Sequence, residues 1–112
     1  MLDRITDSLE RYMDLLSARQ KIVASNIANA DTPNFRTKDL DFQSEFRSAV
    51  SSSSAKAVEV TGLAVKNDGN NVSLDREARL LAENALRFNL ASGLMREQIR
   101  MVRSAIQEGK SA

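Results

Sequence analysis

The sequence predicts an all-α protein. Two long terminal helices fold back on each other as an antiparallel coiled coil, joined by a turn motif and a short irregular or β-containing middle segment. Three observations predict this. Apolar residues recur at spacings of three and four from residue 2 to residue 30, and again from 74 to 106. No Pro interrupts either run; the single Pro lies between them. The stretch between the runs is rich in Ser, Asn and Asp and has no sustained period. The chain divides into an N-terminal coiled-coil helix (1–31), a turn with a short helix and flexible middle (32–72), and a C-terminal coiled-coil helix (73–112).

The second helix has the stronger pattern. Leu74, Ala78, Leu81, Ala85, Phe88, Ser92, Met95, Ile99, Val102 and Ile106 alternate steps of four and three, and only Ser92 is not apolar. A repeat averaging 3.5 residues marks a coiled-coil seam with a left-handed supercoil. Ser73 or Asp75 caps the start, with Asp75 and Glu77 favourable in the first turn. A second apolar row lies off the seam: Leu86, Leu90, Leu94 and Met101. One partner helix cannot cover both rows, so this row is expected to meet neighbouring subunits. Gly93 lies beside it and permits a bend or a close helix approach. Arg96, Arg100 and Arg103 form a basic stripe, which reads as a solvated face.

The first helix places Leu2, Ile5, Leu9, Tyr12, Leu16, Val23, Ile27 and Ala30 at helical spacing, with Arg19 in the seam place between Leu16 and Val23. The chain must double back between helices. Leu9, Tyr12, Leu16 and Val23 are therefore expected to face Phe88, Met95, Ile99 and Val102.

The first helix stops abruptly. Asn26, Asn29 and Asp31 compete for its last carbonyls, and Pro33 pushes Thr32 out of the helical region. Asn34 tolerates the positive φ that a reversal needs, and Phe35 anchors the turn. In Asp39-Leu40-Asp41-Phe42, the two acids read as capping groups; Asp41 caps a short helix with Phe42, Phe46 and Ala49 or Val50 on one face. Ser51 to Ala57 reads as a linker, Val58 to Thr61 as a short strand without an evident partner, and Asp68-Gly69-Asn70-Asn71 as a turn.

Composition narrows the function. The 112 residues carry a net charge of +1, with no His, Cys or Trp. Lack of His and Cys removes the commonest general base, metal ligand and nucleophile, and no carboxylate cluster replaces them. The sequence therefore predicts no enzyme, no cofactor and no metal. The charge balance argues against nucleic acid, and no apolar run approaches the roughly 18 residues of a membrane span. Met1 to Leu16 carries charges throughout, so no cleavable secretory signal is expected.

The string Ala24-Ser25-Asn26-Ile27-Ala28-Asn29-Ala30-Asp31-Thr32-Pro33-Asn34-Phe35 resembles the signature of bacterial flagellar rod and hook proteins, roughly A-x-N-[IL]-A-N-x-x-T-P-G-[YF]. The signature residues are Asn26, Ile27, Ala28, Asn29, Thr32, Pro33, Asn34 and Phe35, with Asn34 standing where the family usually has Gly. The D-x-D-F element also resembles the family. With so short a middle, the chain resembles the shortest rod members. The stretch from Asp68 to Glu77 and from Ala82 to Phe88 is similar to a proximal-rod member in particular, and the C-terminal pattern of the other short member is absent. The resemblance implies a structural subunit of the proximal rod that assembles helically, transmits torque and lines the export channel. It implies partners too: copies of itself, other rod proteins, and membrane-ring and export-gate adaptor proteins at the rod base. It implies a place in the basal body, in the rod crossing the periplasm, reached by type III export. The other readings are a soluble coiled-coil adaptor or export chaperone, and another short rod protein.

Overall fold

The computed structural model describes residues 2–48 and 55–111. Its order is α1 (Leu2–Ala28), β1 (Lys38–Leu40), α2 (Phe42–Arg47), β2 (Ala57–Glu59) and α3 (Leu74–Ser111). The helices form an elongated hairpin 71 Å long and 26 by 18 Å across. Ala49 and Val50, and the serines of the expected linker, lie outside the described residues.

The helices run antiparallel. Asn26 meets Glu77, Gln20 and Leu16 meet Asn84, and Tyr12 meets Arg87. At 1.5 Å per residue, this register brings the start of α1 level with about residue 100 of α3. Beyond that level α3 has no helix beside it, and every side chain from Ile99 to Lys110 is exposed.

The seam of α3 differs from the one the spacing predicts. The line that faces α1 includes the buried or half-buried Glu77, Leu81, Asn84, Ala91, Ser92, Met95 and Gln98, with Phe88 at 37% exposure on the same line. Leu81, Phe88 and Met95 belong to both lines. The alternate positions shift by one residue, to Glu77 and Asn84 in place of the exposed Ala78 and Ala85, and to the buried Ala91 beside the half-buried Ser92. Two of the shifted positions are polar and buried, so a search for apolar periodicity slides past them. Glu77 and Asn84 are nearly fully buried because each is hydrogen-bonded to α1. Ile99, Val102 and Ile106 are exposed by 47%, 39% and 53%, so they do not face α1 as expected.

On α1, Leu16 and Val23 are buried, whereas Leu9 is half-buried. Leu15 is buried as well, on the side of α1 that carries Arg19. Tyr12 is not a plain seam residue. Its ring makes edge contacts with Phe42 (5.5 Å) and Phe46 (6.0 Å), fixing α2 on α1.

The strand near Val58 finds its partner inside the D-x-D-F element. Lys38, Asp39 and Leu40 pair antiparallel with Glu59, Val58 and Ala57. A three-residue pair is too small to stand alone, and β1 is held to α1 by side chains. Asp41 caps α2 by accepting from the Ser44 N–H, and Ser73 Oγ accepts from the Arg76 N–H at the start of α3.

The candidate assembly surface and the elbow that positions it

The signature residues build the elbow where α1 turns toward α3. Asn26 is buried and acts as a piece of backbone. Its Nδ2 donates to the Lys38 carbonyl (2.8 Å), its Oδ1 accepts from the Lys38 N–H (3.2 Å), and Nδ2 also donates to Glu77. One amide thus joins α1, β1 and α3. Asn29 closes the helix by donating to the Ser25 carbonyl, and its Oδ1 accepts from the Thr32 hydroxyl. Ile27, Ala28, Thr32 and Pro33 are exposed, and Phe35 is half-buried.

Asn70 and Asn71 supply the other half of the elbow, which the sequence suggested only as a turn. Both are buried. Asn70 Nδ2 donates to the carbonyls of Asn29 and Thr32, both at 2.8 Å. Asn71 Oδ1 accepts from the Thr37 N–H, and its backbone bonds Phe35 and the Thr37 hydroxyl. Carbonyls at a helix end need partners when covered, and Asn70 provides them, while Asn71 ties the segment after the turn to the start of α3. The only sequence signal was the adjacency of two asparagines after Asp-Gly.

Asn34 has φ 64°, and its N–H donates to the Asp68 carbonyl. Gly69 has φ 85°, and a Cβ there would collide with Asn34 Oδ1. The two positions are coupled. Gly69→Ala should cost about 1–2 kcal/mol from φ alone, plus displacement of the Asn34 amide. In an Asn34→Gly background the steric part should disappear. Thermal melts of both singles and the double measure the coupling; strictly additive values would show that the contact does not matter. Asn34→Gly should be neutral or slightly stabilising, and Asn34→Val damaging.

A charged network lies beside the elbow. Arg19 Nε and Nη2 both bond the Asp39 carboxylate (3.0 and 2.9 Å). Arg76 bonds Asp39 (2.8 Å) and Glu77 (2.7 Å). Asp39 is therefore an ion-pair centre and not a cap, and Arg19 sits in the seam place because it reaches Asp39. Burial pushes the Asp39 carboxyl up, but the Arg19 and Arg76 guanidiniums and the Leu40 N–H outweigh it and hold it below its ordinary value. A carboxyl depressed in the folded state adds stability above its unfolded value of about 3.9, and that stability is lost as pH falls through the folded value. Asp39→Asn should therefore remove part of the loss of stability seen below pH about 4. Acid titrations of equal steepness in both proteins would contradict this.

The surface away from the elbow is apolar and open. Leu86, Leu90, Leu94 and Met101 are 61%, 62%, 57% and 54% exposed. They lie on the side of α3 turned away from α1, one to two turns apart. Among the described residues no three His, Cys, Asp or Glu side chains group as metal ligands, and no helix is long and apolar enough to cross a membrane.

The class the chain presents is a helical hairpin with a tightly bonded elbow and an uncovered apolar ridge. Comparison with known proteins gives the family. The model of the family described as "Flagella basal body rod protein" matches residues 13–36, the end of α1 and the elbow. Flagellar basal body rod protein FlgB of Salmonella typhimurium is 31% identical over 137 aligned positions, covering 97% of this chain and 99% of its own. The FlgB proteins of Yersinia enterocolitica and Borrelia hermsii are also 31% identical, covering 97% and 90% of this chain and 100% and 94% of their own. The chain belongs to the FlgB family of flagellar basal body rod proteins.

Proposed function

We propose that the chain is built into the wall of the proximal rod as a repeating structural subunit, packed helically against copies of itself and other rod proteins. The observation that carries this is the Leu86, Leu90, Leu94 and Met101 ridge, joined by the uncovered stripe of Ile99, Val102 and Ile106 past the end of α1. Exposed apolar surface of this extent on one helix marks an interface. Two different patches on one chain favour a heterologous contact, and such contacts propagate into tubes when the rotation does not close. In such a tube the stacked hairpins carry torque between the membrane ring and the outer rod, and their inner faces line the export channel. Adaptor proteins of the ring and export gate are its partners at the base. A chain with so little core in its distal half also suits type III export, with folding completed on assembly.

The experiment is deletion and complementation. A tagged copy of the chain should restore motility to a strain lacking it and co-purify with isolated basal bodies, with tag density in the inner rod wall. A tag found only in the soluble fraction, bound to export substrates, would favour an export chaperone instead.

A further inference from the structure

We propose that the bond between Asp68 and Gly69 is a site of spontaneous isomerisation in the open chain, and that closing the elbow shuts this chemistry off. The reaction belongs to the single chain, whatever that chain is assembled into. The sequence has one Asp–Gly step and no Asn–Gly step. An aspartyl side chain can close on the next main-chain nitrogen to form a succinimide ring. Only glycine at that next position puts no side chain in the way.

In the ring closure, Gly69 N bonds Asp68 Cγ. The hydroxyl of the protonated carboxyl leaves together with the amide hydrogen as water. Water then adds to the ring at the former main-chain carbonyl carbon of Asp68, and the bond from that carbon to Gly69 N breaks. Gly69 is left joined through Asp68 Cγ, and the old main-chain carbonyl becomes a free carboxylate. The product is an isoaspartyl linkage with the same atoms as before, and no oxidant or other reagent enters.

The elbow itself demands both residues. Gly69 has a positive φ, and a Cβ there would collide with the Asn34 amide. Asp68 Oδ1 accepts from the Asn70 N–H (3.0 Å), and the Asp68 carbonyl accepts from the Asn34 N–H (2.9 Å). The fold thus places the labile step in its own joint. The same bonds hold every group that ring closure needs. The attacking nitrogen is engaged, because the Gly69 N–H donates to the Lys66 carbonyl (2.9 Å). The carboxyl is held by Asn70, whose side chain fastens the turn to the Asn29 and Thr32 carbonyls. Asp68 is exposed, so engagement rather than burial keeps it from reacting.

Isomerisation would be costly to the elbow. It adds a methylene to the main chain at Asp68 and puts a carboxylate where the Asn34 N–H finds its carbonyl. Gly69 then no longer seats beside Asn34. Time spent with the elbow open is therefore recorded at Asp68, and a chain that has reacted cannot rebuild the native joint.

The test holds the purified chain in neutral buffer and in guanidinium chloride and locates isoaspartate by peptide mapping. It should accumulate at residue 68 in denaturant, and at least about tenfold more slowly in buffer, where reaction waits on opening of the turn. Gly69→Ala should slow it in denaturant, and Asn70→Ala should speed it in buffer. The isomerised chain, separated by chromatography, should refold with a lower melting temperature. No isoaspartate at 68 in denaturant, or equal rates in buffer and denaturant, would overturn the proposal. So would the parent rate in Asn70→Ala, or an isomerised chain that melts like the parent.

Discussion

Replacing Asn26 with Leu should destabilise the folded chain by about 3–5 kcal/mol. The side chain is nearly isosteric, so the loss is not one of volume. It comes from three partners left behind at once: the Lys38 N–H, the Lys38 carbonyl and the Glu77 carboxylate. Glu77 is fully buried, and the two bonds to Lys38 are partly buried. Arg76 still pairs with Glu77, which keeps the effect below that of an isolated buried charge. For a domain whose total stability is about 5–15 kcal/mol, the elbow would be largely open. Chemical denaturation of the purified subunit measures this. A loss below about 1 kcal/mol would show that the amide is not what joins α1, β1 and α3.

Replacing Leu90 and Leu94 with Asp should separate folding from assembly. Both side chains are more than half exposed in the single chain, so the isolated subunit should change by no more than about 0.5 kcal/mol each. In the rod, roughly 2 kcal/mol of burial per leucine is lost and two carboxylates enter an apolar contact, so assembly and motility should fail. Soluble, exported subunit with no rods is the expected phenotype. Normal swimming would place the ridge in solvent. Ile99→Asp should behave the same way, because Ile99 is not covered by α1 and costs little in the single chain.

The sequence made the helices legible and hid what joins them. Heptad spacing placed α1 and α3, and the Asn26 to Phe35 string placed the elbow, with Pro33 and Asn34 marking the reversal. The uncovered ridge was visible as a row of leucines that one partner helix could not bury. What stayed hidden was polar. Glu77 and Asn84 lie on the packing face, where a search for apolar residues selects Ala78 and Ala85 instead. Asn70 and Asn71 read as loop residues, although the Asn70 amide satisfies carbonyls about forty positions earlier and the Asn71 side-chain oxygen accepts from the Thr37 N–H. Arg19 and Asp39, twenty residues apart, read separately as a seam defect and a cap. Long-range hydrogen bonds leave no periodic trace, so only the fold brings these residues together. The end of α3 is the reverse case. Its stripe is strongly periodic, yet α1 is too short to reach it.

Hydrogen exchange on dilute subunit and on assembled rod tests the central claim, that the elbow is complete within one chain and the distal hairpin is completed by neighbours. The elbow end is where buried side chains and long-range hydrogen bonds concentrate. Protection in the dilute subunit should therefore be confined to residues 15–28 and 74–85, with amides from 95 to 110 exchanging fast. In the rod, protection should extend along the whole of α3. Strong protection from 86 to 110 in the dilute subunit would contradict the account, because the distal helix would then be stable with nothing covering it.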